Sequence, residues 1–190
     1  MMKIKSSLII TILFLTVSLI GIQSLKNYGV SIDEKFHREN GLSQYNYLKS
    51  FFDKNYDENF TNKIQENIEE KNHFDRAPSI QPSFFDFTSE ILIDLFKIKS
   101  NQQVYKFKHI FNYLIFTLSL VFFYKFIEKR FKSKFLAILG FMSLFLYPRI
   151  FANSFYNQKD IFFTSLIIIF IYLFYQFLRK NNDKYLIFLS

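Results

Sequence analysis

The apolar residues of this chain are gathered into blocks, and that segregation constrains the fold more than any other feature. Runs cover Ser6 to Ile22, Ile110 to Ile127, Phe135 to Tyr147 and Ile161 to Leu178, and Tyr185 to Ser190 begins another. A soluble domain would instead spread its apolar positions at core-face spacing. At ~1.5 Å per residue the first run reaches about 25 Å, marginally enough to cross a bilayer. The expected fold class is therefore an all-α integral membrane protein. It has four transmembrane helices (6–22, 110–127, 135–147, 161–178), the start of a fifth (185–190), and a large outward loop containing amphipathic interfacial helices. A chain stopping inside an apolar run reads as a truncated product or fragment. Lys3 and Lys5 before the first run also fit a signal peptide, but Gly21-Ile22-Gln23 is a poor cleavage site, which favours a retained span.

The net charge of +8 would by itself suggest an acidic partner. Its placement excludes a nucleic-acid face. Residues 23–104 hold ten Lys/Arg against thirteen Asp/Glu, a local net of −3, so the positive excess lies beside the apolar runs. That is the charge pattern of membrane topology. Lys3, Lys5, Lys125, Lys129, Arg130, Lys132, Lys134, Arg179, Lys180 and Lys184 fall on one side; the opposite short loop has only Arg149 and Lys159. The expected orientation puts the N-terminus in the cytoplasm of a multi-pass protein of the plasma (inner) membrane. Segments 23–104 and 148–160 then face outward. The chain has no Cys, which removes disulfides, thiolate metal sites and a cysteine nucleophile.

Within the outward segment, Phe36, Leu42, Tyr45, Leu48 and Phe52 recur at spacings of three to four with one gap of six, predicting an amphipathic helix at the membrane interface. Phe84, Phe87, Ile91, Leu92 and Leu95 predict a second, with Ser83 as N-cap and Asp86 in its first turn. Between them, Asp53 to Asn72 reads as a solvated excursion, and His73 to Pro78 with Pro82 as turns.

Ser31-Ile32-Asp33-Glu34-Lys35-Phe36-His37-Arg38 follows closely on the first run and sets two carboxylates, an imidazole and a guanidinium near the bilayer surface. The topology puts the 148–160 loop, with Arg149, Lys159 and Asp160, on the same face. A carboxylate base beside cations that bind a phosphate suits transfer from a lipid-phosphate donor. Each residue also has a purely structural reading. Asp33-Glu34 and Asp160 suit helix starts, which favour negative charge. Arg149 suits lipid headgroups, and His37 the surface. A metal on His37 with Asp33 or Glu34 fits oxygen and imidazole chemistry, but nothing in the spacing demands it, so a divalent cation stays open and the residues fix no cofactor. A lone His73 makes no metal site. Gly-rich phosphate loops, HExxH and nucleophile elbows are absent.

Tyr147-Pro148-Arg149-Ile150-Phe151-Ala152-Asn153-Ser154-Phe155-Tyr156-Asn157-Gln158-Lys159-Asp160 is similar to the SPRxFxxSFxNPKD segment of bacterial GT-C-like membrane proteins, with Gln158 where proline is usual. Asp33-Glu34-Lys35-Phe36-His37 similarly matches a DE..H signature. The chain thus resembles the N-terminal part of the GT-C superfamily of polyprenyl-phosphate-sugar-dependent glycosyltransferases. The nearest groups are the protein O-mannosyltransferase-like and aminoarabinose transferase-like enzymes. The resemblance implies a polyprenyl-phosphate-linked sugar and membrane lipid as partners, and inversion at the sugar carbon. It makes Asp33 the general base, with Glu34 beside it. Glu34, Asp160 and His37 would position the acceptor or a divalent cation, and Arg149 and Lys159 would hold the donor phosphate. Two other readings stay open: a non-catalytic membrane protein (transporter fragment or scaffold), and a truncated, inactive glycosyltransferase. Spans almost free of ionisable residues, Asn112 being the polar exception, count against transport.

Overall fold

The computed structural model describes residues 6–52 and 84–180. The readings of Lys3, Lys5, 53–72, His73 to Pro78, Pro82, Ser83 and the run from Tyr185 lie outside them. All regular structure among the described residues is helical: α1 Ser6–Ser24, a 3-10 turn Leu25–Asn27, α2 Ile32–Ser50, α3 Phe84–Leu95, α4 Asn101–Phe131, α5 Lys134–Phe145, α6 Pro148–Tyr156 and α7 Asp160–Lys180. Three stretches, Ser6–Asn27, Asn101–Phe131 and Asp160–Arg179, are long and apolar enough to cross a membrane. A fourth span results if α5 and α6, bent by 61° at their junction, count as one. The protein is a multi-pass membrane protein.

Two differences from the sequence reading have simple causes. The second span was expected at 110–127, yet α4 runs over 31 residues. Its polar ends are good helix formers, so hydrophobicity marks the membrane-crossing part and not the helix ends. Segment 148–160 was expected as a loop, yet nine of its residues form α6. Pro148 does halt the preceding helix, but its fixed φ and missing N–H also suit the first position of the next one. With only 12 residues, α5 reaches about 18 Å, short of ~30 Å of hydrocarbon.

The chain divides into two compact units, Met1–Tyr28 with Lys108–Ser190, and Gly29–Phe107. In the first, the span unit, side chains settle the helix directions. The Ser6 hydroxyl donates to Glu128 near the end of α4, and Tyr113 Oη near its start donates to Val17 O at 2.7 Å, so α1 and α4 are antiparallel. Asn112 meets Ser154 and Asn157 just before α7, while Lys129 Nζ donates to Tyr172 Oη at 3.0 Å, so α4 and α7 are parallel. Lys129 and Arg130 therefore share one end of this unit with the start of α1 and the end of α7. The opposite end holds an aromatic stack. Tyr113 lies flat on Phe155 (4.8 Å, 2°), Phe155 also stacks on Tyr28 (4.3 Å), and Phe151 meets Phe145 and Phe155 edge-on. Gly21 makes this packing fit, since a Cβ there would lie 2.0 Å from the Tyr113 ring. Small residues let membrane helices approach in this way where no hydrophobic drive exists between them.

The second unit is built on α2 and α3, the helices expected at the interface. His37 meets Asp86 and, eight residues on, Tyr45 meets Asp94 eight residues on, so the two helices run parallel. At Gly41 they touch backbone to backbone: a Cβ there would sit 2.9 Å from the Asp86 carbonyl carbon and oxygen. The buried residues are mostly polar, namely Glu34, Asn40, Gly41 and Asn46 on α2 and Phe85, Asp86, Ser89, Glu90 and Ile93 on α3. The apolar residues Phe36, Leu48, Phe52, Phe84 and Leu95 are exposed. A water-soluble helix pair would be arranged the other way round. Arg38 extends the unit to the first turn of α4, donating to Asn101 Oδ1 at 3.0 Å and lying over the Tyr105 ring.

Candidate active site

Asp33 and Glu34 are adjacent, but their surroundings differ completely. Ser31 is the residue before α2, and its N–H donates to Glu34 Oε1 at 2.9 Å, the return half of a Ser-x-x-Glu capping box. Glu34 is accordingly 1% exposed. Asp33 lies in the same first turn but faces solvent. Of the pair, Asp33 is open to a substrate, and Glu34 is occupied in holding the turn that carries it.

His37 is one turn further along. Its Nδ1 lies 3.4 Å from Asp86 Oδ2, with the imidazole side chain 24% exposed and the carboxylate 1% exposed. Asp86 and Glu90, one turn apart on α3, are both buried. Neither was picked out from the sequence as a site residue. The available signal was two carboxylates at i and i+4 among Phe84, Phe85 and Phe87, a pattern an apolar helix face does not need. Among the described residues no three of His, Asp and Glu converge as metal ligands.

The residues expected to hold the donor phosphate belong to the span unit. Arg149 is the second residue of α6 and is exposed. Lys159, also exposed, precedes Asp160, the first residue of α7. Asn157 builds this helix start. Its Oδ1 accepts from the Asp160 N–H at 3.0 Å, and its Nδ2 donates to Asp160 Oδ2 at 3.0 Å. Asn112 supports the turn from α4, donating through Nδ2 to Ser154 O at 2.9 Å. This explains the amide in the α4 span: it satisfies carbonyls left over where α6 ends. Gln158, at the position where the SPRxFxxSFxNPKD segment has proline, is buried. Arg149, Lys159 and Asp160 thus belong to one unit, and Asp33, Glu34 and His37 to the other.

Residues 81–190, more than half of the chain, match the dolichyl-phosphate-mannose-protein mannosyltransferase family. The matched stretch contains α3 to α7 with Asp86, Arg149, Lys159 and Asp160; Asp33, Glu34 and His37 precede it. No curated protein and no solved structure matches the chain.

Proposed function

Because this chain belongs to the dolichyl-phosphate-mannose-protein mannosyltransferase family, a family of membrane glycosyltransferases, we propose that it transfers a sugar from a polyprenyl-phosphate donor to an acceptor hydroxyl on the outer face of the membrane. The family match over 81–190 carries this reading. Asp33 is the general base. It takes the proton of the acceptor hydroxyl as that oxygen forms the new bond to the sugar carbon from the face opposite the phosphate. The bond from sugar to phosphate oxygen breaks, the electron pair leaves with the polyprenyl phosphate, and the configuration inverts. A positioned base contributes roughly 10²–10⁴ in rate.

The exposure of Asp33, against the burial and cap bond of Glu34, supports assigning the proton to Asp33. Asp33 also lies six residues beyond the candidate span Ser6–Asn27, a distance suited to chemistry at a membrane surface. Glu34 serves by holding the turn, while His37, one turn beyond Asp33, positions the acceptor. Arg149 and Lys159 stabilise the phosphate as negative charge builds on it, the job that fixed cations do best. The basic end of the span unit faces the cytoplasm and the N-terminus lies there, in the inner membrane.

Initial rates of transfer in proteoliposomes, with a dolichyl-phosphate-mannose donor and a hydroxyl-bearing peptide, test the reading. Arg149→Ala raises the donor KM by roughly tenfold or more, the loss of one charge-assisted contact. A donor KM unchanged in Arg149→Ala would remove Arg149 from the phosphate site.

A further inference from the structure

Asp86 is in an unusual place for a carboxylate in the first turn of a helix, because it is not in water. It lies under α2, with Gly41 packed on its backbone and His37 against its side chain. Burying a carboxylate is expensive, and an apolar residue of similar size would close the helix pair at lower cost. Its position relative to α2 gives it a use. Asp33, His37 and Gly41 are spaced by four, so they follow one another along one stripe of the helix. Burial deepens along that stripe, from exposed Asp33 through half-covered His37 to buried Gly41 over Asp86.

We propose that Asp86 is a positioning residue for the transfer reaction, fixing the ring of His37 so that its Nε2 is presented to the acceptor beside Asp33. A carboxylate next to Nδ1 draws the proton of the neutral imidazole onto that nitrogen and leaves the Nε2 lone pair as an acceptor. Nε2 then takes a hydrogen bond from an N–H or O–H flanking the reacting hydroxyl, and Asp33 takes the hydroxyl proton itself. The charged groups within three residues of His37 on α2 are Glu34, Lys35, Arg38 and Glu39, and on α3 Asp86 has Glu90 one turn further on. Glu34 holds the Ser31 N–H, Arg38 donates to Asn101 and lies over Tyr105, and Asp86 Oδ2 lies 3.4 Å from the ring at Nδ1. This rests on the reading of Asp33 as the base.

Ring ¹⁵N spectra of the full chain in nanodiscs test the tautomer without any substrate. The chain has three histidines, and His37→Gln identifies the signal. The native His37 carries its proton on Nδ1, and Asp86→Asn, an isosteric change, moves it towards Nε2. In the transfer assay Asp86→Asn and His37→Gln each raise the acceptor KM roughly tenfold, and the double variant is no worse than either single one, because Asp86 acts through His37. An unchanged tautomer in Asp86→Asn overturns the proposal, as do losses that add in the double variant or a His37→Gln protein with native KM. Full activity in Asp33→Asn would overturn the base assignment alone, leaving the tautomer result standing.

Discussion

At the scale of single residues, the decisive contrast is between neighbours of the same chemistry. Asp33 and Glu34 cannot be told apart by charge, spacing or distance from the first span. What separates them is the direction each takes from the first turn of α2, where Ser31 captures Glu34. The sequence marks Asp33-Glu34 as a helix start, and the structure adds that Ser31, three residues before Glu34, makes the capping box. The burial of Asp86 was not legible there, because it depends on α3 lying against Gly41, a contact between segments forty-five residues apart. A third residue contrast is open to titration. Burial, then the hydrogen bond to Asp94 (2.6 Å), then the Asp94 charge push the Tyr45 phenol up to about 12. An unfolded tyrosine titrates near ~10. The raised value means the neutral phenol favours the folded unit; this contribution is complete below about pH 10 and is lost as pH rises through about 12. The phenolate absorbance difference between the native chain and Tyr45→Phe should therefore be centred near 12. A difference centred near ~10 would show no held phenol.

Among the helices, periodicity found α2 and α3, but packing decided which face does what. The apolar stripes on Phe36, Leu48, Phe84 and Leu95 are left outside, and the polar stripes meet. That arrangement suits a pair lying on a bilayer, which covers the apolar side, and it makes the contact at Gly41 the keystone of the pair. Gly41→Ala places a Cβ 2.9 Å from the α3 backbone, where no flexible side chain can yield. The substitution should cost ~1–3 kcal/mol, the usual range for overpacking, read as a lower midpoint in thermal unfolding of the detergent-solubilised chain. Midpoints unchanged by Gly41→Ala would mean the helices do not approach this closely. Helix α6 was hidden in the sequence for another reason. Pro148 is both a stop and a start, and with only nine residues the helix owes its place to Phe151 and Phe155 entering the aromatic stack, not to propensity.

For the whole molecule, the apolar blocks made a helical, multi-pass membrane protein legible. Phase within the helices was harder, because lipid-facing and helix-facing positions are both apolar. The side-chain contacts supply it: α1 antiparallel to α4, and α7 parallel to α4. The absence of native cysteine makes the resulting topology directly measurable. Single cysteines at Asn157 and Lys132, probed with a membrane-impermeant maleimide on intact cells, should label from outside at 157 and only after permeabilisation at 132. Labelling of both from the same side would contradict the assignment. The central claim, sugar transfer driven by Asp33, is tested most directly by the initial rate of Asp33→Asn in proteoliposomes, measured with a dolichyl-phosphate-mannose donor and compared with Glu34→Gln. The account predicts a fall of roughly 10²–10⁴ for Asp33→Asn with membrane insertion unchanged, and a much smaller fall for Glu34→Gln. Transfer by Asp33→Asn at the native rate would contradict it.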